Sequence, residues 1–419
     1  MARGRGDLPR GGDAPHGVGY AWGVTATAVL PLARTTATHL TDADVERLGR
    51  ELDELRDRVL ASRGAADAAY IRRVIAVQRT LELSSRVVLL AGRWRPAWLV
   101  GTAALSLAKI LDNMEIGHNV LHGQWDWMRD PRIHSTTWDW DHCSPTQQWQ
   151  RSHNETHHAY TNVRGRDNDL GYGILRVAEE QPWETRHLVQ PLWNAVTACV
   201  FEWGIAMYDA DLGAALRGGE GLPPEVRRRV REAAAKGGKQ ALKDYLVHPT
   251  LAGPGWRATL TANATANLVR NIWSHSVIMC GHFPEGVETF EQDELDPEES
   301  RGHWYLRQML GSADISGGPL LHLLAGNLSH QVEHHLFPDL PSNRYAAIAV
   351  EVRALFERYG LTYNARPLLP QVASAWHRVL RLSLPNGWLA ETRPRTLPRQ
   401  LRRLARMVRA GTDQLPATP

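Results

Sequence analysis

Cysteine is scarce in this chain. Its 419 residues hold three, Cys143, Cys199 and Cys280, widely spaced and without a CxxC pair. That excludes a disulfide framework and a thiolate metal site, and it predicts a reducing compartment. Excess charge of one sign is lacking too. The net charge is +3, too little for a nucleic-acid surface, so no nucleic-acid partner is expected. Residues 1–20 are rich in Gly, Arg and Pro and lack the apolar core of a signal peptide, and 1–40 are expected to form a disordered N-terminal segment. There is no HExxH zinc motif and no internal repeat. No stretch is a clean run of the roughly 20 apolar residues that cross a bilayer, and the mean hydropathy of −0.36 reads by itself as soluble.

Histidine is what the chain has in pattern. Eight of its 19 histidines fall in three tight clusters: His118-Asn-Val-Leu-His122, His153-Asn-Glu-Thr-His157-His158, and His330-Gln331-Val-Glu-His334-His335. Neutral imidazoles gathered this way hold transition metals. His118 and His122, and His153 and His157, are spaced i, i+4, which stacks two rings on one helix face. Three clusters offer more ligands than one ion takes. A pair of redox metals, and oxygen chemistry in place of zinc hydrolysis, is therefore expected, with iron the best match. A fourth element lies between the second and third clusters. Asn271, His275 and His282 sit at i, i+4 and i+11 of one predicted helix. Asn271 suits a metal through water, His275 directly, and a break at Gly281 leaves His282 an alternative.

The surrounding chain is predicted to be helical. Thr41-Asp-Ala-Asp44 reads as a capping box opening an amphipathic helix with Val45, Leu48, Leu52, Leu55 and Val59 on one face. Two placements suit it: packed on the body, or resting on a membrane surface. Val87–Gly92 and Ala97–Ile110, parted by Arg93-Trp94-Arg95-Pro96, read as two helices joined by a turn. Leu188–Tyr208 and Ala258–Cys280 are further apolar stretches, each with polar groups inside. Ionisable groups inside membrane spans mark sites that face inward. Residues 213–255 stand apart as a basic unit, with Arg227, Arg228, Arg229, Arg231, Lys236, Lys239 and Lys243, and 393–419 as a basic C-terminal tail.

HxxxH, HxxxHH and QxxHH in this order, with NxxxH before the third, resemble the membrane fatty-acid desaturases, most of all actinobacterial acyl-CoA desaturases of the stearoyl-CoA 9-desaturase type. Asn113–Trp127, His157–Asn162 with Asp167 and Asp169, Cys280–Pro284 and Gln331–Pro338 carry the resemblance, which runs from about Thr41 to about Tyr363. It implies an all-α integral membrane protein over 41–392, with about four spans in two hairpins and a cytosolic helical cap holding a histidine-ligated di-iron site. It implies His118, His122, His153, His157, His158, His275, His334 and His335 as ligands, and Asn271 as a ligand through water. Related animal enzymes begin the third box with His where this chain has Gln331. Gln331, His330 and His282 thus remain alternatives for the ninth ligand.

The activity implied is O2-dependent insertion of a cis double bond into a long-chain acyl substrate, acyl-CoA above all. Two iron ions would serve it at the cytoplasmic face of a bacterial cytoplasmic membrane, with membrane lipid around the protein. No His-Pro-Gly-Gly motif is present, so electrons are expected from a separate ferredoxin- or flavin-type NAD(P)H reductase. The alternatives are a membrane di-iron hydroxylase or alkane monooxygenase and, from another class, a non-catalytic metal carrier. Glu155 and Glu333 inside the boxes are candidates for orienting ligand imidazoles. Trp125, Trp127, Trp149, Trp273 and Trp304 are candidate tunnel walls or interface anchors, and core packing suits them equally.

Overall fold

The capping box at Thr41 forms as the sequence predicts, and the helix it opens, α1 (Asp42–Ala61), buries Val45, Leu48, Leu52 and Leu55. The structure is a computed structural model that describes residues 35–388 apart from 168, 220, 293, 294 and 296–298, together with 405, 407 and 408. The segment expected as disordered lies outside the described residues up to 34, and the expected basic tail does so except at those last three positions.

α1 is packed on the body. Its partner is α8 (Arg301–Leu310), and the two backbones meet at glycine: a Cβ on Gly302 would stand 2.6 Å from the Val45 carbonyl oxygen. With α9 (Gln331–Leu336) and α10 (Tyr345–Arg358), these helices enclose the largest apolar cluster of the molecule, including Leu48, Tyr305, Phe337 and Phe356. Together they form a cap.

Two long hairpins extend from the cap. The first joins α2 (Ala65–Leu89) to α3 (Arg95–Leu111) through a turn at residues 90–94, and Pro96 starts the return helix. α3 continues as a π-helical turn, Asp112–His118, and then Asn119–Leu121, into the first histidine cluster. The second hairpin departs from expectation. Its descending arm is α6 (Pro224–Leu242), prolonged by a π-turn over Lys243–Val247 and by His248–Leu251. Its returning arm is α7 (Trp256–His282). The two tips meet, since Trp98 Nε1 donates to the Ala258 carbonyl at 3.1 Å.

The stretch read as a separate basic unit is thus one long arm of the bundle. Three of its cations are received by acidic residues outside the arm: Lys236 pairs with Asp139, Lys243 with Asp141 at 2.5 Å, and Arg229 with Asp211. Lys109 of α3, 4% exposed, joins the same network at 2.7 Å from Asp141 and 2.8 Å from Asp244.

Leu188–Tyr208, expected as one span, is two helices. α4 (Gln190–Cys199) and α5 (Phe201–Asp209) meet at Val200, which leaves helical geometry at φ −118, ψ 29. Asn194 faces His275, Cys199 accepts from Asn271, and Asp209 accepts from Ser144 beside the second histidine cluster. The segment therefore dips along α7 and climbs back. Among the described residues no helix is long and apolar enough to cross a membrane. Large apolar side chains are nonetheless exposed along both hairpins and the dip, among them Leu83, Leu90, Trp94, Leu99, Leu192, Trp193, Leu251 and Trp256. Two short parallel strand pairs, Val163–Arg164 with Phe290–Glu291 and Asp314–Ser316 with Ala365–Pro367, complete an otherwise helical chain.

Candidate metal centre

The histidine clusters converge at the junction of hairpins and cap. The first sits where α3 gives way to a π-turn, and the second is itself π-helical over Gln150–His157, so His158 N–H bonds back five residues to the His153 carbonyl at 3.1 Å. A π-turn is wider than an α-turn and splays successive imidazoles. His153, His157 and His158 accordingly point to different neighbours. The third cluster rides on the short helix α9, and α7 contributes its last residue, His282.

Two groups result. His118, His122, His153 and His334 place their nitrogens within 4.8 Å of one another, and so do His157, His282 and His335. His158 stands between them, stacked 4.4 Å from His335 and 4.6 Å edge-on from His122. Seven of the eight histidines expected as ligands are thus brought together, and His282 of the three alternatives joins them.

The other candidates lie elsewhere. His275 Nε2 is 3.0 Å from Asn194 Oδ1, and Asn271 spends its amide on Cys199 and its carbonyl on Arg270. They share a face of α7 with His282, but seven and eleven residues of helix put them roughly 10 and 16 Å away along the axis. Gln331 Nε2 approaches His282 Nε2 at 3.0 Å and flanks the second group. His330 faces away, toward Asp314 and Glu333. Glu155 is exposed, and Glu333 is buried against Tyr363. Of the tryptophans, Trp149 stacks on His153 at 4.4 Å, Trp273 bonds to the Leu324 carbonyl, and Trp304 belongs to the cap core.

The imidazoles are held in the form a metal needs. His153 Nδ1 lies 3.2 Å from Asp169, and His157 Nδ1 lies 3.0 Å from Asp167. His118 Nδ1 meets Asn119 Oδ1, His334 Nδ1 meets Tyr345 OH, and His335 Nδ1 meets Gln308 Oε1 and Thr161 Oγ1. Acceptors on Nδ1 fix the tautomer that leaves Nε2 its lone pair. The buried Nε2 atoms of His122, His153, His157, His158 and His334 have no hydrogen-bond partner. A buried polar atom left so is costly, and five of them at the two groups fit transition-metal ions.

Electrostatics agree. Burial, then the crowding of like rings, lowers His118 to about 3 and holds His122, His153, His158, His334 and His335 well below the usual imidazole range, so they stay neutral. His157 is the exception. Burial opposes its charge, but Asp167 and Asp169 outweigh it and raise the ring to about 9. The field that favours a proton there also favours a cation on Nε2. Asp167, Asp169, Gln308 and Tyr345 were not singled out as site residues in the sequence. The two aspartates stood close behind the second box, Asp167 ten residues after His157 and Asp169 sixteen after His153, whereas Gln308 and Tyr345 arrive from distant helices with no local signal.

A narrow cavity of about 50 Å³ runs beside the groups, walled by Met114, Trp140, Trp149, Phe201, Ile205 and Leu328 together with His118, His153, His157 and His282. At Tyr172 it adjoins an open groove of about 590 Å³ lined by Arg164, Arg186 and Tyr208.

A two-part imidazole centre at the wall of an apolar cavity is the arrangement of a metalloenzyme acting on an apolar chain. The comparisons make this specific. The chain belongs to the fatty acid desaturase family, whose model matches residues 94–367. It is 48% identical over 357 residues to an NADPH-dependent stearoyl-CoA 9-desaturase of Mycobacterium tuberculosis, covering 84% of this chain and 83% of the relative. It is 25% identical over 301 residues to an sn-1 linoleoyl-lipid 6-desaturase of Synechocystis, covering 68% and 80%. It is 24% identical over 282 residues to a Delta(5) fatty acid desaturase A of Dictyostelium discoideum, covering 62% and 58%. The protein is an oxidoreductase that introduces a double bond into a fatty acyl chain.

Proposed function

We propose that this enzyme removes two hydrogens from adjacent methylenes of a long-chain acyl-CoA, leaving a cis double bond, with O2 as oxidant and two iron ions held by the paired histidine groups. The observation that carries this reading is the set of buried, unpartnered Nε2 atoms converging from three boxes beside an apolar cavity. His118, His122, His153 and His334 would hold one iron, and His157, His282 and His335 the other, with His158 between. Bound iron would supply O2 reduction and hydrogen removal from an unactivated carbon. The protein's own residues hold and exclude. Asp167 and Asp169 fix the second-box rings, Trp149 and Phe201 wall the chain, and burial keeps water from the centre.

Electrons would come from a separate NAD(P)H-dependent reductase of ferredoxin or flavin type, in keeping with the NADPH dependence of the M. tuberculosis relative. The exposed apolar side chains on the hairpins support a place in the cytoplasmic membrane, the cap facing the cytoplasm. Expression in a host of defined lipid composition tests the reading. New double bonds located by mass spectrometry, absent with His157→Ala, and enzyme recovered with membranes after a high-salt wash are expected. A hydroxylated product, or product unchanged in the variant, contradicts it; enzyme released by the salt wash contradicts the membrane placement.

A further inference from the structure

The third box carries a second cluster that faces away from the histidine centre. His330, just before α9, is 6% exposed, and neither of its ring nitrogens has a hydrogen-bond partner. Its Nδ1 lies 3.7 Å from Asp314 Oδ2 and 3.9 Å from Glu333 Oε2. Both carboxylates are buried, and Glu333 Oε2 is also unpartnered. Tyr363 OH touches both acids from the far side, bonded to Asp314 Oδ2 and 2.9 Å from Glu333 Oε1. His322 stacks on His330 with ring centroids 4.5 Å apart, its own nitrogens already committed to Ser329 and Gly317.

The separations decide between a hydrogen-bonded cluster and a cation site. Hydrogen-bonded N and O lie within about 3.2 Å. Two ligand atoms each about 2.1 Å from one zinc ion lie roughly 3.4 Å apart at the tetrahedral angle. His330 Nδ1, 3.7 Å and 3.9 Å from the two acids, stands beyond hydrogen-bond reach and close to the second spacing. Left without a cation, a buried imidazole and a buried carboxylate oxygen would both forgo the partners they lose to desolvation.

We propose that Asp314, His330 and Glu333 bind a divalent transition-metal ion, distinct from the histidine centre. One nitrogen and two carboxylate oxygens, with water in the remaining place, suit zinc. The ion ties three pieces of backbone together: strand Asp314–Ser316, the start of α9, and through Tyr363 the segment leading to strand Ala365–Pro367. Its role is positional. It anchors the start of the helix that presents His334 and His335. The inference does not depend on the metal or reaction assigned to the histidine centre.

Crystals of the full-length protein grown with zinc and measured at the zinc absorption edge test it. An anomalous peak between Asp314, His330 and Glu333 is expected, and its absence overturns the proposal. In solution, zinc bound per chain should fall by one ion in His330→Ala and in the isosteric Asp314→Asn. Zinc counts equal to wild type in both variants would also overturn it. Crystals of His157→Ala should keep the peak at His330; loss of that peak would show that the two sites are one.

Discussion

Single residues divide by whether their role depends on local spacing or on distant partners. The histidine boxes were legible because their short, repeated intervals set rings on one helix face. Seven of the eight expected histidines meet in the structure. His275 and Asn271 shared a helix face with His282, and face was all that periodicity could supply; height along α7 separates them from the rings. The same limit hid Glu115. This carboxyl is buried three residues before His118, and burial raises it to about 7 against the donors Ser342, Tyr70 and Asn327. Its ordinary value is 4.5, so the unfolded chain ionises it first. The stability it contributes is full below pH 4.5 and is lost as pH rises through 7, by about 3 kcal/mol. Glu115→Gln should therefore gain thermal stability over wild type as pH rises from 5 to 8. Parallel melting profiles for the two proteins would contradict this assignment.

At the scale of elements, the sequence showed where helices start and how they face more clearly than where they go. The Thr41 capping box and the Pro96 restart formed where the residues called for them. The dip at Val200 was hidden because no glycine or proline marks it. Its course is set by bonds to α7, where Asn271 donates to the Cys199 carbonyl and His275 meets Asn194. The long arm 224–251 was misread for an electrostatic reason. Three of its cations are answered by Asp139, Asp141 and Asp211, which lie outside the run, so a charge run that resembled a solvated insertion is partly internal. Close approach of elements gives a second prediction. A Cβ on Gly281 would stand 2.7 Å from Gln331 Cγ, pushing α9 from the end of α7. Gly281→Ala should lower stability by about 1–3 kcal/mol, as overpacking does, and reduce bound iron. A variant with wild-type melting temperature and iron content would show that the two helices have room to part.

For the whole molecule, two hairpins and a dip carry apolar side chains outward, and the cap closes over their ends, so that the histidine groups lie at the seam. Hydropathy alone could not reveal this plan. Lys109, Asp244 and Arg270 spoil the apolar runs on which hydropathy depends, yet all three are buried and paired within the bundle. The family match supplies the chemistry that such a seam serves, and the central claim is that the two groups act as two iron sites. Titrating metal-free protein with ferrous iron, with acyl-CoA, O2 and a reductase present, and counting double bonds against iron bound tests that claim most directly. Product formation is expected to saturate at two irons per chain. Full activity at one iron per chain would contradict it.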